Sequence, residues 1–236
     1  MGGHARLSVQ VVTPSAFWAD RLGCSPGDFE RPGLTLVRHP EPRAFYALAA
    51  GSAVVVAAPE SVEAALRGIA DPSLLVTREG ASGVLPAGAA FVGPARLAYL
   101  EHALEPPEDV VSLPSAGDAA LAALRAAVTP EEWRSANLEA AEPPLFACAQ
   151  GSSFASASGF QRLDGRVAHM GVVTDPRARG RGLGRRVVRA AAAHAGALGL
   201  LVQYQTLAAN APALRIAESL GFAPFARTLS ARWPAG

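Results

Sequence analysis

A short glycine-rich segment, residues 172–186, carries the clearest chemical signal in the sequence. It predicts a strand, a tight turn and the start of a helix, with glycines alternating at Gly180, Gly182 and Gly184. Glycines let a backbone approach a ligand closely, and unpaired N–H groups at a helix start attract anions. Six arginines lie within residues 177–189 without an intervening acidic residue: Arg177, Arg179, Arg181, Arg185, Arg186 and Arg189. Because the whole chain has a net charge of only +1, we expect this segment to bind a polyphosphate.

The spacing of the glycines separates different classes of phosphate-binding loop. A nucleoside-triphosphate P-loop requires Lys followed by Ser or Thr after its last glycine, and a dinucleotide-binding turn requires G-x-G-x-x-G. Residues 180–186 satisfy neither pattern. Arg179 with Gly182 and Gly184 instead resembles the R-x-x-G-x-G signature of the GCN5-related N-acetyltransferases, the GNAT family. Downstream, residues 210–222 are similar to the family's N-x-x-A-x-x-L-Y-x-x-x-G-F motif, in the same order along the chain.

This resemblance implies a fold, a ligand and a set of contacts. The fold would be α/β, with a mixed, mostly antiparallel twisted sheet flanked by helices, and the cosubstrate would be acetyl-coenzyme A (acetyl-CoA). The pyrophosphate would lie at the glycine turn and the pantetheine arm along the preceding strand. Asn210 would contact the coenzyme, although an asparagine before a helix is equally a cap. The implied cofactor contacts are Val172, Val173, Thr174, Arg179, Gly180, Arg181, Gly182, Leu183, Gly184, Arg185 and Asn210.

Acetyl transfer to an amine also needs a group that takes the amine proton and a group that protonates the departing thiolate. Many GNAT members have a tyrosine for the second task where this chain has Ala217. Tyr204 is the nearby phenol that could replace it, although such a ring is more often a core residue. His169 has the intrinsic pKa of a base at neutral pH, yet a single His on a strand is more often structural. Gln205, where some members carry a glutamate base, cannot take a proton at neutral pH.

Hydrophobic periodicity and turn residues predict the elements that position these groups. The second half of the chain is predicted to form strands at 110–113, 145–150, 154–162, 167–174 and 200–206, and helices at 117–127, 133–138, 183–197 and 212–220. Residues 129–132 have the pattern of a capping box, and Gly151 with Ser152 predicts a turn. Residues 223–233 are predicted to form a closing pair of short strands.

The first half is predicted to form a second, smaller α/β lobe without a motif that carries chemistry. Its predicted elements are helices at 14–23 and 59–69 and strands at 34–38, 45–49 and 53–57. The Gly- and Pro-rich stretch 79–94 predicts a loop with one short strand. Two prolines and two acidic residues at residues 104–108 predict a linker. The chain would thus divide into an N-terminal lobe, residues 1–105, and a GNAT-like domain, residues 106–236.

Composition limits the class of protein. Half of the 236 residues are hydrophobic, so the chain can bury a core. Cys24 and Cys148 lack C-x-x-C spacing, so we expect no metal and a cytoplasmic location. Residues 1–6 show no targeting signal, and the longest uncharged run, residues 44–59, is too short to cross a membrane. The expected partner is a small-molecule or peptide amine acceptor, without nucleic acid or membrane, and the sequence leaves a homodimer open.

Two alternatives to an N-acetyltransferase stay open. The first is a catalytically impaired acetyl-CoA-binding sensor or interaction module, which Ala217 and Gln205 together would permit. The second interprets the arginine cluster as a nucleic-acid contact. No aromatic residues interleave with those arginines for base stacking, which disfavours the second alternative.

Overall fold

The computed structural model describes residues 12–151 and 153–234, which contain ten strands, seven α-helices and short 3-10 turns. The helices are α1 (Pro14–Leu22), α2 (Glu60–Arg67), α3 (Arg78–Ser82), α4 (Ala122–Ala127), α5 (Pro130–Ala136), α6 (Leu183–Ala197) and α7 (Ala211–Ser219). The strands are β1 (Gly33–Arg38), β2 (Ala44–Ala50), β3 (Ala53–Ala58), β4 (Ala90–Leu100), β5 (Val111–Leu113), β6 (Glu142–Gln150), β7 (Ser153–Leu163), β8 (Val167–Thr174), β9 (Leu201–Leu207) and β10 (Phe222–Arg232). Residues 1–6, considered above for targeting, and Ser152 of the predicted turn lie outside the described residues.

The strands form one sheet in the order β1-β3-β2-β10-β4-β9-β8-β7-β6-β5. Neighbouring strands are antiparallel, except that β1 pairs with β3 and β8 pairs with β9 in parallel. The predicted mixed, mostly antiparallel sheet flanked by helices is therefore confirmed. None of the described helices combines the length and the apolar character that crossing a membrane requires.

Helices cover both faces of the sheet. Because side chains alternate along a strand, β8 shows which helices lie on which face. Ala168 and Met170 belong to the buried cluster under α6 and α7. Val167 belongs to the cluster under α1, and Val173 to the cluster under α4 and α5. The sheet thus separates an α6/α7 face from an α1/α5 face.

The elements around the glycine turn form as the sequence predicts. β8 and α6 have the predicted bounds, residues 167–174 and 183–197. The capping box of α5 is present: Glu132 N–H donates to Thr129 Oγ1 at 3.1 Å, and Thr129 N–H donates to Glu132 Oε2 at 3.0 Å. Local signals were sufficient here because each element is bounded by its own cap or glycine.

Two predictions at proline-containing segments are wrong. Residues 79–94 do not form a loop with one short strand, because they contain most of α3 and the start of β4, a strand of 11 residues. Residues 223–233 do not form two short strands, because β10 is a single strand of 11 residues. The register between β10 and β4 shifts next to Pro224 and again opposite Pro94. A bulge accommodates a residue that has no N–H to donate, so the prolines interrupt the sequence pattern without ending the strands.

The predicted division into residues 1–105 and 106–236 falls in the segment between β4 and β5. The sheet does not divide there, because β10 lies between β2 and β4 and is hydrogen-bonded to both. β4 also pairs with β9 of the second half. The first half is therefore not a separate lobe: its strands continue the sheet that carries the glycine turn.

The C-terminal end of α5 packs directly onto β8, and a glycine makes this contact possible. A Cβ added at Gly171 would collide with the carbonyl oxygen of Ala136, the last residue of α5. Since both groups belong to the backbone, neither can move as a side chain can. This contact fixes α5 against the strand that leads into the glycine turn.

We expect Gly171→Ala to lower the free energy of unfolding by at least about 1–3 kcal/mol, because overpacking forces the backbone to shift. Urea unfolding at fixed pH measures the change. Gly196→Ala in α6 is the matched control. A Cβ there has no neighbour within 4 Å, and the substitution should be neutral or should stabilise by about 0.5–1 kcal/mol. Equal stability of the two variants would contradict the contact between α5 and β8.

Candidate functional site

Two parallel strands separate in the middle of the sheet. β8 and β9 pair only over residues 167–169, opposite residues 201–203. Beyond that point β8 runs to Thr174 with strand partners on β7, and β9 runs to Leu207 with strand partners on β4. The strand edges that face each other there have backbone N–H and C=O groups without a strand partner among the described residues. We refer to this opening as the β8–β9 fork.

The turn that follows β8 presents backbone N–H groups. Gly180 and Gly182 have φ angles of 79° and 77°, a left-handed conformation that favours glycine. Gly182 is the N-cap of α6, so it has no side chain to satisfy the first N–H groups of the helix. Within the described residues, no hydrogen bond uses the N–H groups of residues 180–185. We name these residues the glycine cradle. Free amides at the start of a helix have the chemistry to bind an anion.

The three glycines of the cradle are needed for different reasons. A Cβ at Gly180 or Gly182 would point into open space, so these positions need glycine for its backbone conformation and leave room in front of the turn. A Cβ at Gly184 would lie 3.1 Å from Ile216 Cδ1 and 3.2 Å from Thr174 Oγ1. Gly184 therefore serves the close packing of α6 against β8 and α7.

Arg179 connects the cradle to α5. Its guanidinium donates to Glu132 Oε1 and, at 3.2 Å, to the carbonyl oxygen of Thr174. The N–H of Thr129, together with Arg179, holds the pKa of the Glu132 carboxyl below its usual range. The Glu132 carboxylate thus accepts hydrogen bonds both from the helix cap and from Arg179.

The other arginines around the cradle divide into two groups. Arg186 forms an ion pair with Asp109, and Arg189 donates to the carbonyl oxygen of Glu105, so both hold α6 to the segment between β4 and β5. The second group is exposed and has no ion pair within the described residues: Arg177, Arg181 and Arg185. The positive charge available to a ligand is therefore smaller than the sequence count suggests.

The predicted contacts on β8 offer mainly backbone. Val172 and Thr174 face α6, whereas Val173 is buried in the cluster under α4 and α5. Thr174 Oγ1 lies 2.8 Å from Ser156 Oγ, which also donates to the carbonyl oxygen of Val173 at 3.0 Å. These side-chain contacts hold β8 in place and leave its free edge to the fork.

Asn210 lies on the other arm of the fork, between β9 and α7. Its Oδ1 accepts a hydrogen bond from Ala213 N–H at 3.2 Å and so caps α7. The side chain is exposed, and within the described residues its Nδ2 donates to no partner. The cap therefore leaves the amide N–H groups of Asn210 available to a ligand.

His169 lies where the fork begins and takes part in a chain of hydrogen bonds across the α1/α5 face. Its Nδ1 lies 3.2 Å from Gln203 Nε2. Gln203 Oε1 accepts from the Tyr99 hydroxyl at 2.6 Å, and that hydroxyl accepts from Trp18 Nε1 at 2.7 Å. Burial lowers the pKa of His169 and raises the pKa of Tyr99. His169 is thus neutral near pH 7 and linked to residues of the first half.

Tyr204 lies on the opposite, α6/α7 face. Its ring packs edge-on against Phe222, with centroids 5.4 Å apart, in the same buried cluster as Ala217. Burial raises the pKa of its hydroxyl. The structure thus places Tyr204 in the cluster that contains the residue aligned with the family tyrosine, but it does not bring Tyr204 together with His169.

The side chains of Glu139 and Cys148 are engaged in structural contacts. Glu139 accepts from Trp133 Nε1 at 3.0 Å and forms an ion pair with Arg125. Cys148 is buried in an apolar cluster, and burial raises the pKa of its thiol. A thiol in that state is a poor nucleophile, because the thiolate is the reactive form.

Sequence reasoning missed Trp18, Tyr99 and Gln203. They belong to α1, β4 and β9, and the hydrogen bonds that join them span 81 and 104 residues of sequence. No local motif contains such a set. The register of β8 and β9, which places His169 opposite Gln203, exists only in the folded sheet.

The C-terminal half matches a known family. Residues 115–222 match the family model described as the acetyltransferase (GNAT) family. This span contains the fork, the cradle, α6 and α7. No curated protein sequence matches the chain.

Solved structures resemble parts of this chain. A protein from Novosphingobium aromaticivorans assigned to the GNAT family is 25% identical, with a TM-score of 0.50 over 64% of this chain and 70% of that chain. A GNAT acetyltransferase from Colwellia psychrerythraea is 18% identical, with a TM-score of 0.48 over 66% of this chain and 62% of that chain. The yncA protein from Salmonella typhimurium, solved with its cofactor acetyl-CoA, is 18% identical, with a TM-score of 0.32 over 39% of this chain and 66% of that chain. This chain thus spans 62–70% of the lengths of these proteins.

The contact between Arg179 and Glu132 predicts a small, pH-dependent contribution to stability. Because the folded state lowers the pKa of Glu132, its stabilisation is present above the ordinary value of 4.5 and is lost as the pH falls below it. Glu132→Gln keeps the capping box but loses the charge. At pH 7 we expect it to cost less than about 1 kcal/mol, since the pair is partly exposed.

Urea unfolding of Glu132→Gln and of the native chain at neutral and at acidic pH measures this difference. The difference should shrink as the pH falls. Glu131→Gln, in the same first turn of α5 but outside the capping box, is the matched control. A Glu132→Gln effect that stayed constant with pH would mean that charge plays no part in the contact.

Proposed function

We propose, from the premise that residues 115–222 carry a GNAT acetyltransferase domain, that this protein transfers an acetyl group from acetyl-CoA to an amine. One observation carries the proposal. A run of free backbone amides, residues 180–185, follows directly on the β8 arm of the β8–β9 fork. The cradle suits a diphosphate and the fork suits an extended, amide-containing chain. Coenzyme A contains both parts next to each other: a diphosphate and the extended, amide-containing pantetheine arm.

The cradle has the chemistry that a pyrophosphate needs. Its amides lie at the N-terminus of α6, where the helix dipole also favours negative charge. The space in front of Gly180 and Gly182 is open, so phosphate oxygens can approach the backbone. Arg181 and Arg185 are exposed beside it and add positive charge. We therefore assign pyrophosphate binding to the N–H groups of residues 180–185, supported by these two arginines.

The fork fits the pantetheine arm. Its edges carry unpaired backbone groups, and an extended amide chain can pair with such an edge as an added strand would. Residues 172–174 lie along one arm, and Asn210 offers its amide N–H groups from the other. Acetyl-CoA supplies an acetyl group that is activated as a thioester. Backbone N–H groups held rigidly along β8 could each stabilise negative charge on its carbonyl oxygen by about 3 kcal/mol.

The acceptor amine is assigned to the α1/α5 face of the fork. The other face is filled by the apolar cluster of α6 and α7. On the α1/α5 face, β8 and β9 instead present His169 and Gln203, which are connected to Tyr99 and Trp18. We therefore propose that residues 12–105, as a second functional part of the chain, shape the acceptor site. The acceptor class is a small-molecule or peptide amine.

A second candidate function is an acetyl-CoA-binding module without turnover. The observation that favours it is Ala217, since a methyl group cannot protonate a thiolate. Both candidates bind acetyl-CoA, but only the enzyme releases free coenzyme A when amines are supplied. A thiol-reactive dye with a panel of small and peptide amines therefore separates them.

Tyr204→Phe tests whether the phenol replaces the missing family tyrosine. Because burial raises the pKa of Tyr204, it is a weak proton donor, and we expect kcat to fall less than about tenfold. Coenzyme A release with an amine that supports turnover is the measurement. A general acid contributes about 10²–10⁴-fold, so a loss of a hundredfold or more at unchanged thermal stability would assign Tyr204 the acid role.

Gly182→Ala tests the cradle. A Cβ would stand in the open space in front of the free amides, and the left-handed φ would be strained. We expect the thermal stabilisation by acetyl-CoA to be lost, which at a ligand concentration of about 100 Kd amounts to about 2.7 kcal/mol. Differential scanning fluorimetry with and without acetyl-CoA measures it.

Gly199→Ala is the matched control for strain. Gly199 has a φ of 74° and open space around a Cβ, like Gly182, but it follows the far end of α6. Both variants should be destabilised to a similar extent without ligand. Only Gly199→Ala should retain full stabilisation by acetyl-CoA. Full retention in Gly182→Ala would refute the cradle as the coenzyme site.

A further inference from the structure

We propose that Trp18, Tyr99 and Gln203 are positioning residues that hold His169 as its neutral Nε2–H tautomer. His169 then presents a hydrogen-bond donor to an oxygen of the bound ligand at the fork and does not act as the general base. The role at the ligand rests on the proposed acetyl transfer. The tautomer rests only on hydrogen bonds within the chain.

Trp18 sets the direction in which the linked hydrogen bonds are donated. Its Nε1–H can only donate, so the Tyr99 hydroxyl oxygen accepts at 2.7 Å. The hydroxyl proton of Tyr99 must then go to another acceptor. Within the described residues the available one is Gln203, 2.6 Å away. That distance is typical of O–H···O and short for N–H···O, so the atom facing Tyr99 is the amide oxygen of Gln203.

The orientation of Gln203 decides the protonation of His169. Since its oxygen faces Tyr99, its NH₂ group faces His169 Nδ1, at 3.2 Å. An NH₂ group has no lone pair to offer, so Nδ1 must accept the hydrogen bond. A neutral imidazole with a bare Nδ1 carries its proton on Nε2. The Trp18 indole thus selects the tautomer of His169 through two intervening side chains.

Burial makes this arrangement hard to reverse. Trp18, Tyr99 and Gln203 are 6%, 2% and 1% exposed. Tyr99 is also held edge-on against Phe225, with centroids 5.6 Å apart. A flip of the Gln203 amide would direct an N–H donor at the Tyr99 oxygen, which already accepts from Trp18, and would leave the Tyr99 hydroxyl proton without an acceptor. Leaving buried polar groups unsatisfied costs about 1–3 kcal/mol each, so the observed direction is favoured.

A proton added to His169 would have to go to Nδ1, against the Gln203 NH₂ group. The cross-strand neighbour on β7, Gln161, is neutral and accepts from Asn137 at the end of α5. On the α1 side, Arg21 is cationic but forms an ion pair with Asp164. The titratable side chains that β4 and β2 carry on this face are Tyr99 and Tyr46, whose pKa values are raised by burial.

No carboxylate among the described residues offsets the burial of His169, whose pKa is lowered by desolvation. An imidazolium is therefore disfavoured by geometry and by surroundings alike. A lowered pKa also makes His169 a weaker base toward an amine.

The Nε2–H group is free to serve a ligand. His169 is partly exposed, and within the described residues no hydrogen bond uses Nε2. His169 and Gln203 are the last pair before β8 and β9 separate. The donor therefore lies at the closed end of the fork, next to the free edge of β8 that is assigned to the pantetheine arm. A ligand that enters the fork from the glycine cradle can therefore place an acceptor atom against the Nε2–H group of His169.

The tautomer is read directly from the imidazole ¹⁵N and ¹H spectrum of the ligand-free protein at neutral pH, with His169→Gln used to assign the resonances. We expect a protonated Nε2 and a bare Nδ1, unchanged down to pH values below the ordinary His pKa of 6.5. Added acetyl-CoA should shift the Nε2–H resonance. A protonated Nδ1, or an imidazolium near pH 7, would overturn the proposal, and so would an Nε2–H resonance that acetyl-CoA leaves unmoved although it binds.

Gln203→Glu should reverse the protonation of His169, so that Nδ1 carries a proton. Its carboxylate still accepts from Tyr99 and now also accepts from Nδ1–H, so the His169 titration should move to higher pH. Gln203→Leu, which adds no buried charge, should instead release the tautomer and give a mixture of both forms. A histidine spectrum that is identical in the native chain and in both folded variants would show that Gln203 does not position His169.

Kinetics separate a donor from a base. His169→Ala should lower kcat by about 10²–10³-fold, the typical loss for one donor to a developing oxyanion. His169→Gln, whose amide N–H can take the place of Nε2–H, should recover to within about tenfold of the native rate. A base role predicts equal losses in both variants. Should no amine support turnover although the tautomer is as expected, the proposed function fails while the tautomer stands, because the spectrum needs no substrate.

Discussion

The site depends on backbone groups of β8 and β9 that have no hydrogen-bonding partner within the sheet. β8 and β9 pair for three residues and then separate, each still held on its outer side by β7 or β4. Closing the fork would break the hydrogen bonds of those outer strand pairs or disrupt the packing on the two faces of the sheet. The unpaired edge is therefore kept open by the rest of the sheet. An extended ligand with its own amides can supply the missing partners, which gives the fold an intrinsic preference for such a chain.

The cradle is held by contacts of three different kinds. The absence of a side chain at Gly184 lets α6 approach β8, the Arg179 side chain reaches Glu132 on α5, and Gly171 admits the end of α5 onto β8. All three act on the same strand, so helices on both faces converge on the segment that ends in the free amides. Rigid placement matters because amides stabilise charge best when they need no reorganisation. Substitutions in α5 could therefore affect coenzyme binding without touching the coenzyme.

Sequence patterns were sufficient to find the cradle and insufficient to find the side chains linked to His169. The two differ in how far apart in sequence the interacting residues lie. Gly182 and the Thr129 cap act on their nearest neighbours, so spacing alone reveals them. β4 and β10 contain prolines that read as breaks, because the bulges that accommodate them depend on the partner strand. The link from Trp18 to His169 requires α1, β4, β9 and β8 to be in register, which only the folded sheet provides. The histidine was therefore visible in the sequence, but the reason for its protonation state was not.

The position of β10 has a consequence for how the chain is made. Of the ten described strands it is the last to be synthesised, yet it lies between β2 and β4, and its Arg227 pairs with Ala49. Until it arrives, both of those strands expose edges that can pair with other molecules. Contacts so distant in sequence form slowly, so the nascent chain passes through a period of vulnerability to aggregation. Completion of this fold is a late event, and a chaperone that shields the edges of β2 and β4 would act on that interval.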